Sequence, residues 1–305
     1  MRFTEAGEGC IAALVRDGMR QATINRHRRI QGFFLDYAGD LPIAEVSRRQ
    51  ASEFLNHVGK VRKLTNRSLR QYTAVLSGVF KWARRAGHFD GQNPFSEHSF
   101  RVPKDAGWVC YTDEELRRLF SGPMFEWPIR DPLAWCMLIA VYSGLRLNEV
   151  AQLRVADLHK EHGIWVFDVR EGEGKILKTH AAKRQVPIHS KLIAAGLLDY
   201  REGLPATGQL FPTLRGAGAD SKLGWYLGQR FTEYRRRCGV TRERLTFHSF
   251  RKQFATAMDR AGVPQADISA VLGHSRGFSL NVYSSGPGLK RLQELVERVE
   301  YEGIT

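Results

Sequence analysis

Cysteine is scarce in this 305-residue chain. Cys10, Cys110, Cys136 and Cys238 stand apart, with no C-x-x-C spacing and no clustered histidines, which excludes a zinc finger or a disulfide framework and fits a reducing compartment. No run approaches the roughly eighteen consecutive apolar residues of a membrane span, and the opening MRFTEAGEGC lacks the basic flank and apolar stretch of a signal peptide. Neither membrane insertion nor secretion is expected. A Walker loop, a G-x-G-x-x-G between strand and helix, H-E-x-x-H and a carboxylate cluster for two metal ions are all missing, so no metal or cofactor is expected. Internal repeats and low-complexity blocks are missing too. Hydrophobic residues still make up 43% and charged residues 26%, enough for packed cores, and the length favours two domains over one.

Positive charge is what the sequence has in excess. Lys and Arg number 46 against 32 Asp and Glu, a net charge of +14, which points to a polyanionic partner and says little about the fold. The excess is spread along the chain, with 18 basic against 10 acidic residues through position 110 and 28 against 22 beyond it. Such a distribution fits two domains sharing one nucleic acid better than a basic tail.

From Thr23 to about Gly87 the apolar periodicity predicts three amphipathic helices, INRHRRIQGFFLDYAG, IAEVSRRQASEFLNHVG and TNRSLRQYTAVLSGVFKWARRAG, each stopping at or near a glycine. In the third, Leu69, Tyr72, Leu76, Val79, Phe80 and Ala83 form the stripe, and Arg67, Arg70, Lys81 and Arg84 lie largely off it. DGQNPFSEHSFRVPKDAG carries two prolines and two glycines without periodicity and reads as a linker. The expected organisation is a helical domain over 1–100, best supported over 20–100, a linker over 101–110 and a second domain over 111–305. That domain opens with YTDEELRRLF, where Thr112 caps a helix and Glu115 is its reciprocal partner. After an apolar helix around PLAWCMLIAVYSG, the strands IWVFDV, KILK and RQVPIH, joined by EGEG and a polar turn, read as a small meander. Helices return in FHSFRKQFATAMDRAG, in PQADISAVLG with Pro264 in its first turn and Gly273 as its stop, and in LKRLQELVERVE. The expected fold class is mainly α with a small antiparallel β-sheet in the C-terminal domain.

Four segments of the second domain carry residues suited to chemistry: SGLRLNEV, KILKTHAAKRQVP, HSFR and LGHSRGFSLNVY. His248 and Arg251, three apart in a helical pattern, project from nearly the same face and together can donate to neighbouring oxygens of one phosphate. Taken singly, each residue also has an ordinary structural reading. H-x-x-R suits a solvated basic helix face, Arg146 a surface pair with Glu149, Lys178 a solvated edge charge, His274 a partner for the last carbonyls of a helix, and Tyr283 a core aromatic with its hydroxyl at the rim.

Together the segments resemble the tyrosine recombinase (phage integrase) family. SGLRLNEVAQL is similar to its first-arginine box, KTHAAKRQVPIH to its lysine hairpin ending in R-x-V-P, HSFRKQFAT to its H-x-x-R helix, and LGHSRGFSLNVY to its LGH box, with a tyrosine nine residues after the histidine. TDEEL resembles the start of the family's catalytic domain, and WARRAG followed by NPF the end of its core-binding domain, so the resemblance spans roughly residues 20–300. It implies a helical core-type DNA-binding domain and a catalytic domain forming a clamp on double-stranded DNA. It also implies a site-specific recombinase or integrase that cuts and rejoins DNA without metal or ATP. Tyr283 is then the nucleophile, Arg146 and Arg251 clamp the non-bridging oxygens, and His248 and His274 add hydrogen bonds or assist proton movement. Lys178 is the acid for the departing 5′ oxygen, and Glu149 is an accessory residue that orients the cations. Lys175 and Lys183 share the hairpin; Lys178 is preferred because it precedes Thr179 and lies nine residues before Pro187, as in the family pattern. Lys60, Arg67 and Arg70 are the candidate phosphate contacts of the first domain.

The resemblance further implies a homotetramer on synapsed DNA, accessory DNA-bending or directionality proteins, and a cytoplasmic, nucleoid-associated location. The terminal stripe Leu289, Leu292, Leu295, Val296 and Val299 is expected to dock on a neighbouring protomer. The stretch before residue 20 is too short for the arm-site domain of many temperate-phage members, so either the protein works at core sites alone or that stretch has been cut away. Type IB topoisomerase-like cleavage and a non-catalytic DNA-binding relative are the alternatives. The first lacks the expected exchange between two duplexes; the second sits poorly with the full set of six residues.

Overall fold

The computed structural model describes residues 1–103, 107–172, 175, 182–274 and 287–304. Lys178 and Tyr283 lie outside the described residues. The chain divides into two compact units, Met1–Ala106 and Gly107–Thr305.

Four helices build the first unit: α1 (Phe3–Arg16), α2 (Gln21–Ala38), α3 (Arg48–Val61) and α4 (Asn66–Arg85). The last three follow the predicted periodicity, and the Leu69-to-Ala83 stripe of α4 is buried. Helix α1 lies outside the predicted set. It buries Phe3, Ala6, Cys10 and Ile11 against α2 and α4, a helical spacing diluted in the sequence by three exposed or half-exposed polar positions in its first two turns. The core is aromatic, with Phe34 meeting Phe3, Phe54 and Phe95 at centroid distances of 4.8, 5.2 and 5.3 Å. Phe95 belongs to the segment read as the start of a linker, yet it is 1% exposed. Asn93 fixes it there, its amide donating to the Ser77 carbonyl at 3.0 Å. Residues 90–100 are therefore part of the unit, pinned by side-chain hydrogen bonds rather than by regular structure.

The second unit begins with α5 (Asp113–Phe120), whose capping box forms as predicted: the Glu115 N–H donates to Thr112 Oγ1 and the Thr112 N–H to Glu115 Oε2. Helix α6 (Pro132–Ser143) is apolar all round and buried from Leu133 to Ser143, as the central helix of a core must be. It ends at Gly144, φ +66°, and the short α7 (Leu147–Ala151) follows. Three antiparallel strands, β1 (Leu158–Glu161), β2 (Ile164–Val169) and β3 (Arg184–Pro187), form a sheet in that order. Strand β1 was not expected. It turns into β2 through His162 and Gly163, with φ +49° and +82°, the left-handed pair of a tight hairpin. KILK beyond Lys175 lies outside the described residues. Helices α8 (Ser190–Ala194), α9 (Leu197–Glu202), α10 (Gly224–Arg237), α11 (His248–Arg260), α12 (Gln265–Leu272) and α13 (Leu289–Val296) complete the unit.

The terminal stripe corrects an expectation. Leu292, Leu295, Val296 and Val299 join the unit's own core instead of facing outward for a neighbouring protomer. An Arg291–Asp267 ion pair at 2.7 Å and hydrogen bonds from His189 to the Val299 carbonyl and from the Ser190 N–H to Glu297 hold the segment in place. The apolar face had a closer surface to cover, formed by β2 and β3.

Candidate active site

Gly144 sets the geometry of the site. A Cβ there would come within 2.6 Å of Leu272 and 2.7 Å of Phe254, so α6 can turn into α7 against α11 and α12 only at a residue without a side chain. Arg146, two residues on, caps α7. Its N–H donates to Glu149 Oε2 at 3.0 Å and its guanidinium to Glu149 Oε1 at 2.5 Å. Glu149 is buried, and Arg184 at the start of β3 reaches it as well, Nη2 to Oε2 at 3.0 Å.

Arg251 comes from α11, where Phe250, Phe254 and Met258 face the core. Its own side chain, 4% exposed, turns towards the α6–α7 corner. Nη1 donates to the Gly144 carbonyl at 2.7 Å, and Nη2 donates to the Leu272 carbonyl at 2.5 Å and to His274 Nε2 at 2.9 Å. One arginine thus joins the turn that carries Arg146 to the end of α12, where Gly273 (φ +65°) stops the helix just before His274. Two guanidinium groups pair with one carboxylate and the third, that of Arg251, is close enough to feel all three, leaving two net positive charges beside a histidine.

The electrostatics follow from this crowding. Burial pushes the Glu149 carboxyl up, but Arg184 and then Arg146 outweigh it and hold it below its ordinary value. Burial, then Arg146 and Arg184, bring Arg251 down to about 9, which leaves it cationic at neutral pH. Burial, followed by Arg251, Arg146 and Arg184, lowers His274 below 6.5, so the imidazole is neutral at pH 7. Arginine has no acceptor, so His274 Nε2 must supply the lone pair and the proton sits on Nδ1.

His248 begins α11 as expected, and its ring lies on the exposed Trp108 indole at 4.1 Å. Lys175, one of the two rival hairpin lysines, is buried against Asp157, Nζ to Oδ1 at 2.6 Å, so its charge is committed to that carboxylate. Lys183 is exposed. Burial pushes Tyr142 and Tyr200 up to about 12 and raises Tyr111, Tyr234 and Tyr301 as well, the opposite of what a phenol nucleophile needs. In the first unit Lys60 and Arg67 are exposed, whereas Arg70 donates from Nε to the Phe100 carbonyl at 2.8 Å and holds the returning chain. Among the described residues no group of three His, Cys, Asp or Glu side chains is placed to hold a metal ion, and no helix is long and apolar enough to cross a membrane.

Two residues of this constellation were absent from the sequence-based set. Arg184 was visible only as the first letter of R-x-V-P. Trp108 fell in the stretch read as linker, where no periodicity marked it, although Trp108 and Cys110 contact His248 and Thr256 within the second unit.

Among curated proteins, the tyrosine recombinase XerA of Thermococcus kodakarensis is 27% identical over 292 residues, covering 93% of this chain and 92% of its own length. Among solved structures, a lambda integrase (75–356) dimer bound to a COC′ core site shares the fold with a TM-score of 0.68 at 16% identity, covering 90% of this chain and 96% of that one. A lambda integrase tetramer bound to a Holliday junction gives 0.68 at 17% identity, covering 92% and 79%. The phage integrase family matches residues 112–286, the stretch that contains Arg146, Glu149, Arg184, His248, Arg251 and His274. By that match the chain belongs to the phage integrase family of tyrosine recombinases.

Proposed function

We propose that this protein is a site-specific DNA recombinase that cuts and rejoins DNA through a 3′-phosphotyrosyl intermediate on Tyr283. The observation that carries the reading is the gathering of Arg146, Arg251 and His274 from three distant segments, Arg146 paired with the buried Glu149 and Arg251 joining the Gly144 carbonyl to His274. A site with two surplus positive charges and fixed donors suits a phosphodiester whose non-bridging oxygens gain charge as a nucleophile adds.

The phenol of Tyr283 gives up its proton to the imidazole of His248 as its oxygen adds to the scissile phosphorus, the bond to the 5′ oxygen breaks, and Lys178 gives that oxygen its proton. Arg146 and Arg251 meet the growing negative charge. His274, neutral with its proton on Nδ1, has that N–H to donate, and His248 assists at the neighbouring end of α11. Glu149 orients the cations. The phosphotyrosine keeps the energy of the broken ester, so an incoming 5′ hydroxyl reseals the strand by the reverse displacement without ATP, and no step calls for a metal ion. The burial of Lys175 in its ion pair supports Lys178 as the acid.

The first unit acts as the core-type DNA-binding domain, with Lys60, Arg67 and Arg70 near phosphates, and the second as the catalytic domain. Double-stranded DNA is the substrate, a homotetramer on synapsed DNA is the working assembly, and accessory DNA-bending or directionality proteins act with it in the nucleoid. The DNA-bound lambda integrase dimer and tetramer that share the fold support this reading.

Covalent trapping on a nicked suicide substrate tests it. The wild-type protein should form a protease-sensitive DNA adduct and Tyr283→Phe none. An adduct of equal yield with Tyr283→Phe would remove Tyr283 from the chemistry. Strand exchange between two separate duplexes then distinguishes a recombinase from a topoisomerase.

A further inference from the structure

Glu149 holds two guanidinium groups, and the second has no role in the chemistry above. Arg184 sends its three nitrogens to three segments: Nη2 to Glu149 on α7 at 3.0 Å, Nε to the Val271 carbonyl at the end of α12 at 2.5 Å, and Nη1 to the Ala182 carbonyl just before β3 at 2.7 Å. Only 6% of the side chain reaches solvent, so it is badly placed to meet a phosphate itself. Gly273 passes directly over it. A Cβ there would lie 2.9 Å from Nη1 and 3.2 Å from Ala182 Cα, so the chain entering His274 runs closer to this guanidinium than any side chain allows. Lysine offers a single point charge on a flexible stem. Only a planar fork can satisfy three acceptors lying in these directions.

We infer that Arg184 is a positioning residue for strand cleavage. It fixes the Glu149 carboxylate so that Arg146 is presented to the scissile phosphate, and it holds the end of α12 that carries His274 against the stretch leading back in sequence to Lys178. The inference rests on the proposed cleavage chemistry. If it holds, losing Arg184 leaves the charges of Arg146, Arg251 and His274 present but displaced, and a displacement of about 1 Å costs on the order of 10²-fold in rate.

Single-turnover cleavage of a suicide substrate at saturating protein separates the rate constant from the active fraction, which is read from the final amount of adduct. Wild-type protein and Tyr283→Phe set the frame. If wild-type protein forms no adduct, the proposed chemistry fails and takes this inference with it. With wild-type protein active, Arg184→Met is expected to cleave about 30- to 100-fold more slowly, with final adduct undiminished and DNA affinity within about threefold. Arg184→Lys keeps the pairing with Glu149 and covers the case in which Arg184→Met does not fold; it is expected to be at least about tenfold slow. Combined with Glu149→Gln, either change should fall well short of multiplying, because both act through one carboxylate. A role confined to stability would lower the final adduct and leave the rate constant unchanged, and that result overturns the inference. So does Arg184→Lys cleaving at the wild-type rate, or a double variant whose losses multiply.

Discussion

At the scale of single residues, Glu149 ties the charge of its surroundings to stability. Its carboxyl is held below its ordinary value because Arg184 and Arg146 outweigh the burial that would raise it. A carboxylate depressed in the folded state contributes its full stability above its unfolded value, about 4.3, and loses it as pH falls through the lower folded value. Glu149→Gln leaves the buried Arg184 without its counter-charge, so it should cost about 3 kcal/mol at neutral pH and flatten the acid side of the stability curve. Urea titrations at pH 7 and pH 3 check this; an equal loss at both would mean the carboxylate charge contributes nothing. His274 gives a second expectation. Its Nε2 accepts from Arg251, so 15N spectra at pH 7 should show a neutral ring protonated at Nδ1, and a proton on Nε2 would contradict that hydrogen bond. The segments holding Arg146, Glu149, His248, Arg251 and His274 were legible because each sits in a short stretch of fixed spacing. Arg184 was not, since an arginine at the start of a strand looks like any solvated edge charge until the fold brings Val271 and Glu149 to it.

Among the elements, the long periodic helices were readable and the features made by contact were not. Helices α2 to α4 follow their apolar stripes. By contrast, Phe95 enters the first core from a segment without periodicity, and β1 is specified by its pairing with β2 and by the left-handed turn at His162 and Gly163. The stripe of α13 shows the limit of pattern reasoning: spacing reveals that a face will be buried and leaves open against what. Gly144 illustrates the same dependence from the other side. It reads as a simple helix stop, whereas the fold also needs it for the close approach of Leu272 and Phe254. Gly144→Ala combines a left-handed backbone at an L-residue with overpacking, and it should cost about 2–4 kcal/mol, read as a lower urea midpoint. Because the Gly144 carbonyl accepts from Arg251, the variant should also cleave more slowly under conditions where it remains folded. Normal stability would show that the corner relaxes without strain.

For the whole molecule, net charge is the property the sequence states most directly and the fold makes local. An excess of +14 shared between both halves suits a partner that is a continuous polyanion, and such binding is driven largely by counterion release. If the protein contacts six to ten phosphates, its affinity for duplex DNA should fall by about 10³- to 10⁵-fold between 50 and 200 mM salt. Individual charges differ in what they can give to that total. Arg70 already donates to the Phe100 carbonyl and helps hold the chain where it returns to the start of α4, so replacing it would mix a loss of binding with a loss of local order. Lys60 and Arg67 are exposed and form no ion pair among the described residues, which makes them the cleaner probe. Contacts to phosphate position a protein without reading bases, so Lys60→Ala with Arg67→Ala should weaken binding to target and non-target duplexes by similar factors. The slope of log affinity against log salt should become shallower by about two, close to one for each phosphate contact removed. Fluorescence anisotropy over a salt series measures both quantities. An unchanged slope would place the DNA elsewhere on the first unit, and a loss confined to the target duplex would assign these side chains to base readout.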